Sequence, residues 1–388
     1  MKRWWIGAAL AAVCVGQTAW GQQPPHDGGP LPEPVPSAAA CPPQFVPGPL
    51  TGQGAPPGPG DALSLPASLP TAWGKGPVPE CGPFLSLGAM GLQRQRPGHS
   101  EIFRRDDTGQ EALNTHDLDP EFNWGGRLTF GYLYDDNALE VTGFYIPDAT
   151  TSVARRDITG RTFSSFFSNL PASFQGPDLA GLFVRADRAS LSLQTSLGDA
   201  ELNYRWWSRA FTGCEGIVGF RYVEYQERAQ IGVDRGFLVA SMTGFVDRTL
   251  QATYTSRVHN HMLMGQGGFE WNCPIFCWLS AGLIVKGAFG ADDVDITKRL
   301  QRGDGLVRDE FRHNHWTPTS LTEINAFFDI VEFDKVHLRA GYAMLWLVHM
   351  DEAFQQINFN LAASPEGAHR DNGSVFFHGP MIEMQILF

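Results

Sequence analysis

The sequence lacks the charge density and the long apolar runs that define several large classes of protein. Charged residues make up 18% of the chain, against about 25% in an average soluble domain. The 29 Lys and Arg face 41 Asp and Glu, which gives a net charge of −12. Because phosphate binding needs clustered positive charge, this balance argues against a nucleic-acid partner. After the N-terminal segment, no uncharged apolar run approaches the ~18 residues that cross a bilayer as a helix, so the sequence excludes a helical membrane protein.

The N-terminal residues predict export. Two basic residues precede an apolar core from Ile6 to Val15, and Ala19-Trp20-Gly21 is a small-x-small cleavage site. We therefore predict a signal peptide over 1–21, with cleavage near Gly21. Lipid attachment at Cys14 is the alternative, but the Val before it is a poor match to a lipidation site.

A proline-rich lead separates the signal peptide from the rest of the chain. Of the 27 prolines, 19 lie between Pro24 and Pro97, and such a density prevents regular secondary structure. The sequence predicts a flexible periplasmic lead over 22–80, acting as a spacer or contacting peptidoglycan or another envelope protein. Five cysteines follow the predicted cleavage site, and their pairing stays open because an odd number cannot all pair with one another: Cys41, Cys81, Cys214, Cys273 and Cys277.

Residues 81–388 alternate apolar and polar side chains with a period of two, which is the pattern of a β-strand with two different faces. In one segment Ala200, Leu202, Tyr204 and Trp206 alternate with polar residues. The pattern predicts an all-β fold of about ten strands, near 84–92, 126–134, 138–146, 197–211, 217–228, 254–271, 277–289, 319–331, 336–348 and 378–388.

The connections between these strands alternate between short and long. The short ones follow residues 134, 211, 271 and 331, and the long ones run about 93–125, 147–196, 229–253, 290–318 and 349–377. Such asymmetry is typical of outer-membrane barrels, which have short periplasmic turns, long outer loops and an even strand number. In hydrocarbon every backbone polar group needs an internal partner, so a sheet crosses only as a closed barrel. We predict a single antiparallel up-and-down transmembrane barrel over 81–388, in contact with outer-membrane lipid.

The alternation also predicts which side chains line the lumen. A charge facing lipid at mid-bilayer costs about 2–4 kcal/mol, so charged residues that oppose apolar ones are expected inside. The predicted lumen residues are Glu201, Asn203, Arg205, Arg221, Lys286, Arg339, Glu383 and Gln385. Mixed charges of this kind predict weak ion selectivity.

Aromatic residues mark the expected membrane interface and the end of the chain. Trp206, Trp207, Trp271 and Trp278 lie beside short turns, where interfacial aromatics are expected. The last strand presents one apolar face that ends on an aromatic residue, which predicts recognition by the barrel-assembly machinery. That face consists of Ile382, Met384, Ile386 and Phe388.

With these residues in view, the chain resembles a bacterial family of outer-membrane β-barrel porins. The resemblance covers roughly residues 84–388 and implies an outer-membrane location and a passive channel, with no catalytic residues to transfer. The stretches that carry it are Phe122 to Tyr132, Glu140 to Tyr145, Asp199 to Tyr204, Gly219 to Tyr222, Gly265 to Gly268, Trp278 to Gly290, and His337 to Tyr342 with Trp346.

The predicted function is the passive passage of small polar solutes through a porin-like barrel of a Gram-negative-type outer membrane. Ten strands leave a narrow interior, since eight-stranded barrels are filled by side chains and wide channels need 16 to 18 strands. The alternative is therefore a non-conducting structural or surface barrel whose long outer loops bind partners.

Enzymatic activity is not predicted. A hydrolase site at the outer rim would need acids and histidines from several loops, for example Asp106, Asp107, His313 and His315, and the sequence alone does not bring them together. The chain shows no phosphate-binding glycine motif and no nucleophile elbow in the required setting. We accordingly predict no cofactor.

Metal binding is likewise not predicted. The pair His259 and His261 shares a strand face, as ligands of a divalent metal can, but the sequence identifies no third ligand, and polarity of the lumen or a loop is the simpler interpretation. The acidic group Asp292, Asp293 and Asp295 lacks the spacing of a known calcium loop. It is expected in a solvated loop.

Overall fold

The protein is described by a computed structural model that covers residues 81–134, 136–157, 163–176, 178–207, 213–276, 278–333, 336–361 and 373–388. The predicted signal peptide and the proline-rich lead lie outside these residues. Among the described residues, no helix has the length and apolar character needed to span a bilayer.

Strands form most of the described chain. The α-helix α1 spans Phe237–Thr243, and short 3-10 turns lie at Thr115–Asp117, Ala172–Phe174 and Arg248–Leu250. In chain order the strands are β1 Cys81–Arg94, β2 Glu101–Arg105, β3 Glu111–Asn114, β4 Asn123–Tyr134, β5 Asn137–Arg156, β6 Phe163–Ser165, β7 Arg188–Trp207, β8 Cys214–Asp234, β9 Gln251–Phe276, β10 Leu279–Arg302, β11 Val307–Phe333, β12 Val336–Met350 and β13 Gly373–Leu387.

Ten of these strands close into one antiparallel barrel, as the sequence predicts. The order around the barrel is β1-β13-β12-β11-β10-β9-β8-β7-β5-β4, and β1 closes it by pairing with both β13 and β4. Phe84 on β1, for example, pairs with Leu387 on one side and Gly131 on the other. The short strands β3, β2 and β6 form a separate three-stranded sheet within the long connections.

All ten predicted barrel strands are present, but several extend well beyond their predicted ends. β8 continues to Asp234 and β10 to Arg302, while β11 already begins at Val307. The predicted long loop over 290–318 is therefore wrong. A tight turn over 303–306 joins β10 to β11, and Gly305 within it has a φ of 94°, a left-handed conformation that favours glycine.

The physical reason for this difference is a change in which face of the strand is apolar. In β8, Phe220 and Tyr222 point outward and are exposed, whereas the next outward residue is Glu224. Further along, the inward residues Ile231 and Val233 are buried. The alternation continues without a break, but the apolar face moves from the outside of the barrel to the inside.

The change occurs at one level on three neighbouring strands. Tyr222 pairs with Leu263, and Leu263 pairs with Ala291, so these residues form the last apolar row on the outer wall. The following outward row is Glu224, His261 and Asp293. We call the part from the short turns to the Tyr222–Leu263–Ala291 row the lower barrel, and the part beyond it the upper barrel.

The upper barrel contains an apolar core of the kind found in water-soluble proteins. Its interior packs side chains from the barrel wall against the three-stranded sheet and against the segment that follows β12. The buried members of this core include Leu113, Phe167, Phe174, Leu191, Ile231, Tyr254, Val258, Ile296, Ala353 and Ile357. The interior of the lower barrel combines buried apolar side chains such as Ile217, Ile284 and Met381 with many charged ones, while its outer wall carries exposed apolar residues.

Candidate functional site: the charged interior of the lower barrel

The interior of the lower barrel is crossed by ion pairs between inward-facing side chains. Near the short turns, the Arg205 guanidinium lies 3.3 Å from a Glu140 carboxylate oxygen and 2.6 Å from one of Glu215, and it also contacts Glu270. Arg339 donates to the other Glu270 oxygen at 3.0 Å. The two arginines therefore share one carboxylate and link opposite parts of the wall.

A second group of ion pairs lies one step further from the short turns. Arg221 donates to Asp199 at 2.6 Å and also to Glu323. Lys286 donates to Glu201 at 2.8 Å and lies 3.5 Å from Glu323. Because each cation contacts more than one carboxylate, this group is a continuous network across the interior.

Strand register explains why these charges meet. Glu201 on β7 pairs directly with Arg221 on β8, and Lys286 on β10 pairs directly with Glu323 on β11. Opposite charges at directly paired positions of an antiparallel sheet stabilise that register. The two cross-strand pairs then face each other inside a narrow barrel and combine into one network.

Because the network is buried, its charges are stabilised only when all of their partners are present. Glu201 and Arg221 are 3% and 1% exposed. Removing one partner of a buried pair leaves the other charge uncompensated, whereas a complete set is stabilised by its mutual hydrogen bonds. The network is therefore expected to persist as a unit.

Little free space remains between these side chains. The cavity bounded by Arg205, Glu270, Arg339 and Glu383 has a volume of about 40 Å³ for the positions that a water centre can occupy. A water molecule needs roughly 10–15 Å³ on this measure, so the cavity holds a few waters. Within the described residues the interior of the lower barrel is thus packed, with buried apolar side chains such as Ile217, Ile284 and Met381 beside the ion pairs.

The eight residues predicted to line the lumen all lie on the inward face. Glu201, Asn203, Arg221 and Lys286 are buried, and Arg205, Arg339, Glu383 and Gln385 border the polar cavity. Sequence reasoning missed most of the carboxylates that pair with the four cations. The alternation could have identified them, because each occupies an inward position on its strand. These carboxylates are Glu140, Asp199, Glu215, Glu270, Glu323 and Asp329.

The outward face of the lower barrel carries most of the predicted aromatic and C-terminal residues. Ile382, Met384 and Phe388 are exposed, and Ile386 is half-buried. Trp206 and Trp278 are exposed and Trp271 is half-buried. Trp207 differs from the prediction, because odd-numbered residues at this end of β7 point inward. It packs against a small cluster that contains Phe84, Leu133, Ala138 and Leu387.

The acids and histidines considered for a hydrolase lie on different elements. Asp106, in the turn after β2, is 3.6 Å from Arg185. His313 and His315 are on strand β11 rather than in the predicted loop, and their rings stack with centroids 5.2 Å apart. His315 contacts the buried Asp351 at 3.2 Å.

Two further predictions about the polar clusters are corrected by the extended strands. Asp292, Asp293 and Asp295 lie on β10 instead of in a solvated loop, and Asp292 is fully buried. His259 and His261 lie on the outer wall of β9, so they belong neither to the lumen nor to a loop. Among the described cysteines, Cys81, Cys214 and Cys273 are free thiols.

Comparison with known proteins gives likenesses of overall shape at very low sequence identity. No protein-family model matches the chain, and no curated protein matches it. The solved structures that resemble it include the P. putida toluene transporter TodX, with 11% identity, a TM-score of 0.31 and coverage of 79% of this chain and 90% of that one. The outer-membrane protease OmpT of Escherichia coli has 9% identity, a TM-score of 0.38 and coverage of 79% and 96%.

Acinetobacter baumannii CarO is a third similar structure, with 9% identity, a TM-score of 0.21 and coverage of 78% of this chain and 97% of that one. All three TM-scores lie below 0.5, so these likenesses assign no function to the chain. Its own strand ladder and side chains are the basis for assigning one.

Proposed function

We propose that the protein is an integral outer-membrane β-barrel whose lower barrel spans the bilayer and whose upper barrel stands outside it. The observation that carries this proposal is the exchange of apolar and polar faces at the Tyr222–Leu263–Ala291 row. Where a barrel wall is surrounded by lipid, its outward side chains must be apolar. Where the wall is surrounded by water, the apolar side chains must point inward. The nine residues from Cys214 to Tyr222 match the roughly 9–11 that a tilted strand uses to cross a bilayer.

The function best supported by the packed interior is that of a non-enzymatic surface barrel with a closed lumen. The ion pairs of Arg205, Arg221, Lys286 and Arg339 cross the lower barrel from wall to wall. A ten-stranded barrel is narrow enough for side chains to fill. Its working surface is then the upper barrel and the connections that it carries.

Passive passage of small polar solutes is the second candidate. The observation that favours it is the polar cavity beside Arg205 and Arg339, which has room for water. Carboxylates outnumber cations in the surrounding network, so a passage formed by rearranging these side chains would favour cations over anions.

Single-channel recording distinguishes the two candidates. The mature chain, refolded into a planar bilayer, is expected to migrate as a heat-modifiable band on a gel and to give no discrete current steps. The double variant Arg205→Ala, Arg339→Ala removes two of the three guanidinium groups that line the cavity, leaving that of Arg127, and is expected to give cation-selective steps. Arg312→Ala, at an exposed position outside the network, is the matched control and should stay silent.

Each outcome tests a different part of the proposal. Current steps from the unmodified chain would overturn the closed-lumen proposal and support passive passage. Silence from both the unmodified chain and the double variant, with heat-modifiable migration, would show that the two arginines are not what closes the lumen. Loss of heat-modifiable migration in the unmodified chain would contradict the membrane barrel itself.

A further inference from the structure

Two histidines and a glutamate meet on the outer wall of the upper barrel, just beyond the last apolar row. Glu224 on β8 pairs directly with His261 on β9, and the next outward pair is Gln226 with His259. His259 and His261 are two residues apart on one strand, so their rings project from the same face. Three potential metal ligands from two strands therefore converge at one point.

The potential donor atoms of these three side chains lie close together. The Glu224 Oε1 atom lies 2.8 Å from the His259 Nε2 atom, and the two imidazole centroids are 4.0 Å apart. One ligand atom from each of Glu224, His259 and His261 lies within 4.8 Å of the other two. Ligands of a tetrahedral ion at about 2.1 Å are separated by roughly 3.4 Å, so small rotations of these side chains bring all three to one ion.

Neighbouring groups orient the ligands. The Tyr222 hydroxyl lies 2.7 Å from His261 Nδ1. When this hydroxyl oxygen accepts the Nδ1 proton, the lone pair of His261 is on Nε2, which is the usual way in which a polar neighbour selects the metal-binding nitrogen. The Gln226 amide lies 3.0 Å from His259 Nε2 and donates to Glu224 at 2.9 Å, so a metal ion between His259 and Glu224 would replace these hydrogen bonds.

Strand β10, which pairs with β9, adds negative charge to the same outer wall. Asp293 pairs with His261 and Asp295 with His259 on β10, and Asn314 donates to Asp293 at 3.0 Å. Arg257, two residues from His259 on the same face, is the nearest opposing charge along β9. The carboxylates raise the local concentration of cations at the wall.

We propose that Glu224, His259 and His261 form a binding site for a divalent transition-metal ion on the outer wall of the barrel. Two imidazoles and one carboxylate are the ligand types of Zn²⁺ and its neighbours, whereas Ca²⁺ and Mg²⁺ prefer oxygen ligands alone. The side chains are partly exposed, so the fourth position is open to water. The bound ion joins β8 to β9 just beyond the Tyr222–Leu263–Ala291 row, and the site does not depend on whether the barrel conducts.

Metal titration of the refolded, untagged mature chain tests the site. Zn²⁺ is expected to bind with one high-affinity site per chain, and Co²⁺ is expected to give the visible absorption of a low-symmetry site with imidazole ligands. His259→Ala and His261→Ala should each weaken Zn²⁺ binding at least about tenfold, and Glu224→Gln should weaken it while keeping the shape of the side chain.

His378 provides a matched control. It also lies on the outer wall with a tyrosine hydroxyl near its Nδ1 atom, at 2.6 Å from Tyr342, but aromatic rings surround it in place of a second histidine and a glutamate. His378→Ala should leave Zn²⁺ binding unchanged. Heat-modifiable migration of every variant checks folding.

Three results would overturn the proposal: no Zn²⁺ binding to the unmodified chain at about 100 μM, binding that all three site variants retain, or equal loss in the His378 control. If a site variant does not fold, the Co²⁺ spectrum of the unmodified chain decides, because a spectrum without imidazole ligation excludes this site.

Discussion

The lower and the upper barrel are built from the same continuous strands with opposite arrangements of polarity. On β8, β9 and β10 the wall below the Tyr222–Leu263–Ala291 row is apolar outside and carries the ion-pair network inside, and above the row it is polar outside and mainly apolar inside. Hydrogen bonding is the same in both parts, because the ladder between β8 and β9 runs from Cys214 to Asp234 without a register shift. The period of two therefore predicts a strand in both parts. Which face carries the apolar residues indicates what surrounds that part of the wall.

The two parts are consequently stabilised by different interactions. The interior of the lower barrel depends on completing an ion-pair network around Arg221 and Lys286. The interior of the upper barrel depends on apolar packing around residues such as Leu191, Ile231 and Ile296. Substitutions of the same chemical kind should then have different effects in the two parts.

The largest difference is expected for the removal of an arginine. Arg221→Met leaves Asp199 and Glu323 without their main partner inside the lower barrel, and an unpaired buried charge costs about 3–5 kcal/mol. Arg228→Met, on the outer wall of the upper barrel, is expected to change the free energy of unfolding by less than about 0.5 kcal/mol. Urea titration of both variants in lipid vesicles measures the two values. Similar values for the two variants would contradict the contrast between the two interiors.

A charge added to the outer wall tests the same boundary from the other side. Phe220 lies on the apolar outer wall and is 67% exposed, so Phe220→Arg introduces a cation there. An arginine facing lipid near mid-bilayer costs about 2–4 kcal/mol. Gln230→Arg has the same outward parity on β8 but lies above the boundary, so it should cost less than about 0.5 kcal/mol. The yield of heat-modifiable barrel in vesicles reports both. A Gln230→Arg variant as impaired as Phe220→Arg would move the membrane boundary upward.

The fold of the lower barrel could be predicted from the sequence because one rule applies along each of its strands. Residues such as Phe220 and Arg221 alternate in the sense expected for lipid outside and water inside. Beyond Tyr222 the sense reverses, and the expectation of a single phase along the strand ends the predicted strand at residue 228 and places Ala229 to Asp234 in a loop. The long loop predicted over 290–318 arose in this way, although Val294 and Ile296 keep the period of two.

The ion network and the metal-ligand cluster were harder to predict, because each depends on register between strands. The sequence identified Arg221 and Lys286 as inward but could not pair them with Glu201 and Glu323. Likewise, the pair His259 and His261 was visible, whereas its third ligand is 35 residues away along the chain. Only the alignment of β8 against β9 brings Glu224 beside them.

The upper barrel also contains a buried charged cluster, and its environment differs from the network below. Arg94 at the end of β1 donates to Glu227 at 2.6 Å and to Glu352 at 3.0 Å. Glu227 also accepts the backbone N–H of Ala353 at 2.7 Å. This cluster attaches the segment after β12 to the barrel wall.

The smallest effect is expected from the pH dependence of that attachment. Burial, and next the nearby Glu227, raise the pKa of Glu352 from its ordinary value of 4.5 to about 7. A carboxyl group with a raised folded-state pKa binds more protons in the folded state, so the attachment weakens as the pH rises from about 4.5 to about 7 and changes no further above that range. Hydrogen exchange in residues 351–361, corrected for intrinsic rates, should be about tenfold slower near pH 5.5 than near pH 8. Glu352→Gln carries no titrating group and should show the same slow exchange at both values, whereas a variant that keeps the full pH dependence would assign it to another residue.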